Sequence, residues 1–365
     1  MKQAPLLTRP DELEKLAARL LDADLVALDT EFLWERTYYP ILGLIQAAVS
    51  EDECWLIDTV EIDDLSPLAP VLSSPKIVKI LHDAHQDLTI LSREIGAMPR
   101  NIFDTRQSAG FCGLPSILSL QALTHDVLGI DLAKTETRSN WIRRPLTPEQ
   151  LLYGAEDVIY LPAIREKLIA LCKDDTVRAW QQEENDRYDN PHLYEDPPVF
   201  EAIHKVRGRR GNNPREEARL HELAAWREED ARERDLPRRR VLGDNDLIAL
   251  SHYAPDSVRK FYSVPGIQPH IPTFIAEAAV NAILRANAIS EEDLPCHVRP
   301  DAEEKRLLKT KTDAFLAALP DRCAPYGVDP ALVAARHDAE DFFKGEPNRL
   351  ENGWRATLLG DLIAK

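Results

Sequence analysis

Apolar and polar positions divide the 365-residue chain into two territories. Up to about residue 190, short apolar runs alternate with amphipathic stretches. "DLVALDTEF" reads as a buried strand from Leu25, "ILGLIQAAVS" and "CWLID" as two more in a meander, and "KIVKILH" as a further one. The helical period runs through "DELEKLAARLLD", through "AHQDLTILSREIG" with Gly96 as C-cap, and through stretches at roughly 105–112, 116–128 and 148–173. Thr147 is suited to N-cap the last of these, with Pro148 at its first position. Strands interspersed with helices predict an α/β unit.

The prolines and acids of "RYDNPHLYEDPPVF" break the pattern and read as a linker. Beyond it every periodic stretch is helical: "EEARLHELAAWREEDARERD", "GDNDLIALSHYAP", "PTFIAEAAVNAILRANAI", and a second group from about residue 300. The two helical groups share a loose order that suggests a diverged repeat of about 75–80 residues. The expected boundaries are 1–190 for the α/β domain, 191–208 for the linker, and 209–292 and 293–365 for two helical domains.

Composition narrows the setting. The chain is 44% hydrophobic, enough for a buried core, and its five cysteines are scattered without a CxxC pair. That pattern fits a reducing compartment better than a disulfide or zinc framework. The start lacks the apolar stretch of a signal peptide, and no run approaches a membrane span, so a cytoplasmic protein is expected. A net charge of −17 repels nucleic acid at long range, so a nucleic-acid partner requires local cations or metal ions.

The acids supply the candidate chemistry. Asp29 and Glu31 sit two apart directly after the apolar run "LVAL", hence on one face of a strand. They form either an acidic strand end in solvent or part of a cation site; Asp-x-Glu recurs at Asp301/Glu303 and Asp338/Glu340 in helix-like surroundings. Asp87 follows a strand and opens a helix, where α/β sites are built, although a first-turn acid favoured by the helix dipole has the same signature. His82 and His85 beside it raise a zinc alternative that no cysteine or HExxH pattern supports. Tyr153 and Asp157 lie one helical turn apart, and Val158, Ile159 and Leu161 pack that helix close to Asp157. A partly buried acid needs a partner, and no Lys or Arg stands at i±3 or i±4. Oxygen-only ligands suit Mg²⁺ or Mn²⁺, and a pair of such ions about 4 Å apart is the arrangement that cleaves phosphodiesters.

These four carboxylates and the tyrosine resemble the motifs of the DEDDy 3′–5′ exonucleases. "ALDTEFLWERTYYPILGLIQ", "KILHDAHQDLTIL", "FDTRQSAGFCG" and "WIRRPLTPEQLLYGAEDVIYL" resemble, within that family, the bacterial ribonuclease D branch over residues 20–170. The helical tail is similar to its HRDC modules, with "LHELAAWREEDARERDLPRRRVLGDNDLIALSHYAPDSVRKFYSVPGI" matching the first and residues 295–365 a degenerate second. The resemblance implies a ribonuclease H-like α/β exonuclease domain, a mixed sheet flanked by helices, followed by two all-α HRDC-type domains. It implies 3′–5′ hydrolysis of RNA to 5′-nucleotides, with trimming of tRNA precursors and other small RNAs. It further implies two divalent ions held by Asp29, Glu31, Asp87 and Asp157, with Asp29 bridging them and Asp87 helping to hold the second. Tyr153 and Glu31 would be the catalytic pair, Tyr153 positioning water. The chain departs from the family at Gly154, where alanine is usual, and at Asn140, where aspartate is common; a mid-helix glycine costs about 1 kcal/mol and is expected to loosen Tyr153.

Between His204 and Arg240 twelve Lys or Arg face eight Asp or Glu, a local excess of four positive charges. Arg207, Arg209 and Arg210 are candidate contacts to the RNA backbone; a salt-bridged helix face is the competing reading. Phe32 and Tyr38 either stack on terminal bases or belong to the core. DNA as substrate, and a non-catalytic RNA-binding scaffold, are the alternatives to an exoribonuclease. The scaffold requires a lost ligand, and all five positions are filled.

Overall fold

Residues 4–132, 136, 139–209, 213–295 and 301–364 are described by a computed structural model. They form two compact units. One comprises residues 1–33, 42–195 and 301–365, and the other residues 34–41 and 196–300.

The first unit is built on a six-stranded mixed sheet. Its strands are β1 (Leu6–Leu7), β2 (Leu25–Leu33), β3 (Ile41–Ala48), β4 (Cys54–Asp58), β5 (Val78–Leu81) and β6 (Ile102–Asp104), in the order β1-β4-β3-β2-β5-β6. β3 and β4 are the expected antiparallel pair; β2, β5 and β6 run parallel, as do β1 and β4. Alternation along β2 sorts its side chains between two cores. Val26 and Leu28 pack with Leu13, Leu16 and Leu20 of helix Pro10–Leu21 and with Leu88 and Leu91 of helix His85–Ile95. Ala27 faces the other way, onto Val158, Ile159, Leu161 and Leu168.

The helical stretch expected at 148–173 is two helices, Pro148–Ile159 and Leu161–Leu171, divided at Tyr160. Pro162 explains the break, because it cannot donate to the preceding turn and tolerates only the first turn of a helix. β1 and β6 leave no mark in the sequence pattern, because two and three residues are too few to show a period.

Residues 301–365 share a core with the nuclease helices. Trp354, Phe315 and Leu319 pack with Phe111, Val177 and Trp180. Glu184, on helix Asp175–Asp186, accepts hydrogen bonds from Trp354 Nε1 (2.8 Å) and Arg355 Nη1 (2.6 Å), and the Arg355 guanidinium also donates to the Leu332 and Val333 carbonyls. Arg355 holds Glu184 below the usual carboxylate range despite its burial. Removing one partner of a buried pair strands the other charge, so Glu184→Ala is expected to cost about 3–5 kcal/mol of stability. Urea unfolding of the two proteins measures this; a difference below about 1 kcal/mol would refute the buried pairing.

The second unit is all helical. Its longer helices, Pro214–Glu233, Asp244–Tyr253 and Thr273–Asn287, surround Leu220, Leu223, Leu247, Leu250, Phe261, Ile275, Ala279 and Ile283. The part of the expected linker after Asp196 belongs to this unit: Ala202, Ile203 and Val206 are buried in its core.

Candidate active site

β2 carries Asp29 and Glu31 on the face that Ala27 presents to helix Pro148–Ile159. That helix begins with a capping box: the Gln150 N–H donates to Thr147 Oγ1 (3.2 Å) and the Thr147 N–H to Gln150 Oε1 (3.0 Å). Its fixed start sets the phase at which Tyr153 and Asp157, one turn apart, meet the sheet. Gly154 lets the helix press closely on β3. A Cβ there would come within 3.2 Å of Leu44 Cδ2 and 3.4 Å of Gln46 Nε2. The departure from alanine thus goes with a tight helix–sheet contact.

The result is a convergence of acids. One oxygen each of Asp29, Glu31 and Asp157 lies within 4.8 Å of the others. Among the described residues this is the only such group of three or more metal-capable side chains, so the zinc alternative with His82 and His85 is not realised. Asp87 stands beside the trio, in the first turn of helix His85–Ile95, where Thr30 Oγ1 donates to its Oδ1 (2.5 Å). Tyr153 is 9% exposed and packs beside the buried Trp141, with ring centroids 6.1 Å apart.

Burial and mutual repulsion raise every one of these pKa values. Asp29 is held well above the carboxylate range by burial, then by Asp87, Asp157 and Glu31. Glu31 is pushed up to about 9 by burial, Asp157 and Asp87, and Asp157 to about 7 by burial, Glu156 and Asp87. Asp87 rises to about 6, burial outweighing the Thr30 hydrogen bond that opposes it. Burial and the same acids raise the Tyr153 hydroxyl, which therefore keeps its proton. Among the described residues no Lys, Arg or His forms an ion pair with any of the four acids. The cluster lacks positive charge, and its all-oxygen donor set fits hard divalent cations.

The trio and Tyr153 line a cavity of about 400 Å³ whose other walls include His82, Asp83, Arg106 and residues 117–121. Burial lowers the pKa of His82, and its ring is tied to the protein, with Nδ1 3.0 Å from Thr105 Oγ1 and Nε2 3.1 Å from the Leu118 carbonyl. Asp104, fully buried, accepts from the backbone N–H groups of Asp83, Ala84 and Arg106 and from the Tyr188 hydroxyl (2.6 Å). It thereby ties the turn that leads to Asp87 to the start of helix Thr105–Ala109. Asp329 holds Ser116, the residue before the lining segment 117–121, its Oδ2 accepting from Ser116 N (2.6 Å) and Oγ (2.8 Å). Neither residue stood out in the sequence. For Asp104 the available signal was an N-cap aspartate after an apolar pair; for Asp329, 213 residues from its partner, there was none.

The candidate RNA contacts lie outside this cluster. Phe32 packs partly buried against the first core. Tyr38 belongs to the second unit: its hydroxyl donates to Glu228 Oε1 (2.6 Å), and its ring lies 4.8 Å from the Arg238 guanidinium carbon. Arg207 is exposed, Arg209 pairs with Glu217 (3.4 Å), and Arg210 lies outside the described residues.

Comparison with known proteins bears on this geometry. The family model described as 3′–5′ exonuclease matches residues 6–172, and that of the HRDC domain matches residues 216–272. The fold and the acid cluster therefore define a ribonuclease H-like 3′–5′ exonuclease, of a metal-dependent kind, joined to a helical HRDC region. The ribonuclease D of Desulfotalea psychrophila is 38% identical over 99% of this chain and 98% of its own, and that of Pseudomonas paraeruginosa is 31% identical over 93% and 90%. The crystal structure of Escherichia coli RNase D, an exoribonuclease involved in structured RNA processing, superposes with a TM-score of 0.85 at 28% identity, covering 99% of this chain and 97% of that one. The catalytic core of Trypanosoma brucei RRP6 shares the fold, with a TM-score of 0.62 at 20% identity. The chain belongs to the ribonuclease D family, the 3′–5′ exoribonucleases that process RNA 3′ ends.

Proposed function

We propose that this exoribonuclease trims tRNA precursors and other small RNAs in the cytoplasm, releasing 5′-nucleotides, with two Mg²⁺ or Mn²⁺ ions as cofactors. One observation carries the reading: carboxylates from residues 29, 31 and 157 meet within 4.8 Å with no cation of the described protein to neutralise them. Asp29, Glu31 and Asp157 would hold one ion, and Asp29 and Asp87 would help to hold the second. Bound there, divalent ions supply the positive charge that activates water and stabilises a departing oxygen.

The chain's own groups complete the chemistry. The protonated Tyr153 hydroxyl, fixed by Trp141 behind it, orients the attacking water together with Glu31. Tyr153→Phe keeps the ring packing and removes only the hydroxyl, so kcat is expected to fall about 100-fold with an unchanged melting temperature. Single-turnover trimming assays check this; a fall below about threefold would remove Tyr153 from the reaction. In the HRDC unit, exposed Arg207 shares a cavity of about 480 Å³ with Lys205, Arg238 and Arg239, which supports contacts to the RNA backbone. Residues 293–365 are proposed as a degenerate second HRDC module.

The test is a 5′-labelled tRNA precursor incubated with Mg²⁺, beside a DNA strand of the same sequence. Stepwise loss from the RNA 3′ end is expected. Internal cuts, or equal shortening of the DNA, would overturn the assignment.

A further inference from the structure

The cavity that gathers the acids must also admit a polyanion. Divalent ions offset charge only next to the carboxylates, so neighbouring phosphates of the RNA need another partner. Among the described residues lining this cavity, Arg106 is the only Lys or Arg. Its backbone is anchored, the N–H donating to Asp104 Oδ1 (2.9 Å). Its Nε is buried without a hydrogen-bond partner, while Nη1 donates to Asp83.

Asp83 is itself held in place. It has φ +62°, a left-handed backbone unusual for a residue other than glycine, and its N–H donates to Asp104 Oδ1 (3.1 Å). Asp104 thus fixes both ends of the Asp83–Arg106 pair. The Asp83 side chain is 56% exposed and that of Arg106 29%, so the pair is open to solvent, where such an ion pair is worth little. A phosphate offers the guanidinium two oxygens at once, in bidentate geometry that one carboxylate oxygen on Nη1 does not provide.

We infer that Arg106 binds a backbone phosphate of the RNA near its 3′ end, and that Asp83 occupies the guanidinium until the phosphate displaces it. This rests on the exoribonuclease reading and adds a substrate contact to it. Arg106 sets where the 3′ end lies relative to the acids, and Asp83 competes with the substrate.

The two partners therefore predict opposite effects. Arg106→Gln is expected to raise KM about 10- to 100-fold while kcat changes less than about threefold, because the contact is present equally in bound substrate and transition state. Asp83→Asn is expected to lower KM about three- to tenfold, because it removes the competitor; asparagine tolerates the left-handed backbone, so the turn survives. RNAs carrying one neutral methylphosphonate linkage at successive positions from the 3′ end locate the contact. One position should weaken binding to the parent protein and leave binding to Arg106→Gln unchanged. Arg106→Lys, which keeps the charge, should recover part of the loss, and melting temperatures confirm that each variant folds. If Asp83→Asn raises KM as Arg106→Gln does, or if no linkage becomes silent in Arg106→Gln, the pair is structural and the inference falls. A parent protein that leaves RNA intact would instead remove the functional reading, and this inference with it.

Discussion

Asp157→Asn protein is expected to trim RNA at least about 1,000-fold more slowly than the parent, at saturating Mg²⁺ and with its fold intact. The substitution keeps the side chain's size and removes its charge from the group that faces Asp29 and Glu31 within 4.8 Å. Electrostatic stabilisation by bound divalent ions is worth several kcal/mol in the transition state, and each 1.36 kcal/mol is a factor of about ten in rate. Asp29→Asn should lose at least as much, because Asp29 feels the charge of all three other acids. Pre-steady-state trimming of a 5′-labelled RNA measures both. Variants that retain a tenth of the parent rate would show that these carboxylates do not hold the working ions.

The same substitution should make the metal-free protein more stable, and the sign follows from the raised pKa values. Below about pH 4 the carboxyls are protonated in both the folded and the unfolded chain and cost nothing. As the pH rises, the unfolded chain ionises them freely, while the fold resists until about 7 for Asp157 and about 9 for Glu31. In chelator, stability is therefore lost progressively between about pH 4 and pH 9 and is lowest above that window. Asp29→Asn removes one of the three carboxylates that meet within 4.8 Å, so its melting temperature in chelator at pH 8 should exceed the parent's by about 5 °C. Added Mn²⁺ should raise the parent's melting temperature and have little effect on the variant, because a ligand stabilises only the state that binds it. Melting curves from pH 5 to pH 9, with and without Mn²⁺, provide the measurement. A metal-free parent that grows more stable toward alkaline pH would contradict the clustering. Together the two expectations describe a site kept at the expense of stability: the charge that reaction requires is the charge the apo fold tolerates worst.

Several parts of this picture were visible before the fold. Asp29 and Glu31 share a face because strand side chains alternate, and the apolar "LVAL" before them marks that strand as buried. Tyr153 and Asp157 share a face because a helix turns once in 3.6 residues. These are local periodicities, and the structure bears them out. The single helix expected at 148–173 shows where such reading stops. Its apolar period continues through Tyr160, and only the missing proline N–H divides it. Helix propensity alone marks Gly154 as a weakness; the packing of Leu44 and Gln46 against it, from a strand over a hundred residues earlier, gives it a purpose.

The sequence by itself determined the element types around the site, the candidate acids, and the family those acids belong to. Only the tertiary structure decided which acids meet: Asp29, Glu31 and Asp157 form the trio, and Asp87 stands beside it on Thr30. It alone decided that residues 301–365 share the nuclease core through Glu184 and Arg355, and that Asp104 and Asp329 anchor segments next to the cavity. The physical reason is one of range. Periodicity and capping act over a few residues and leave a mark at that spacing, whereas burial, charge repulsion and buried hydrogen bonds join side chains that folding alone brings together.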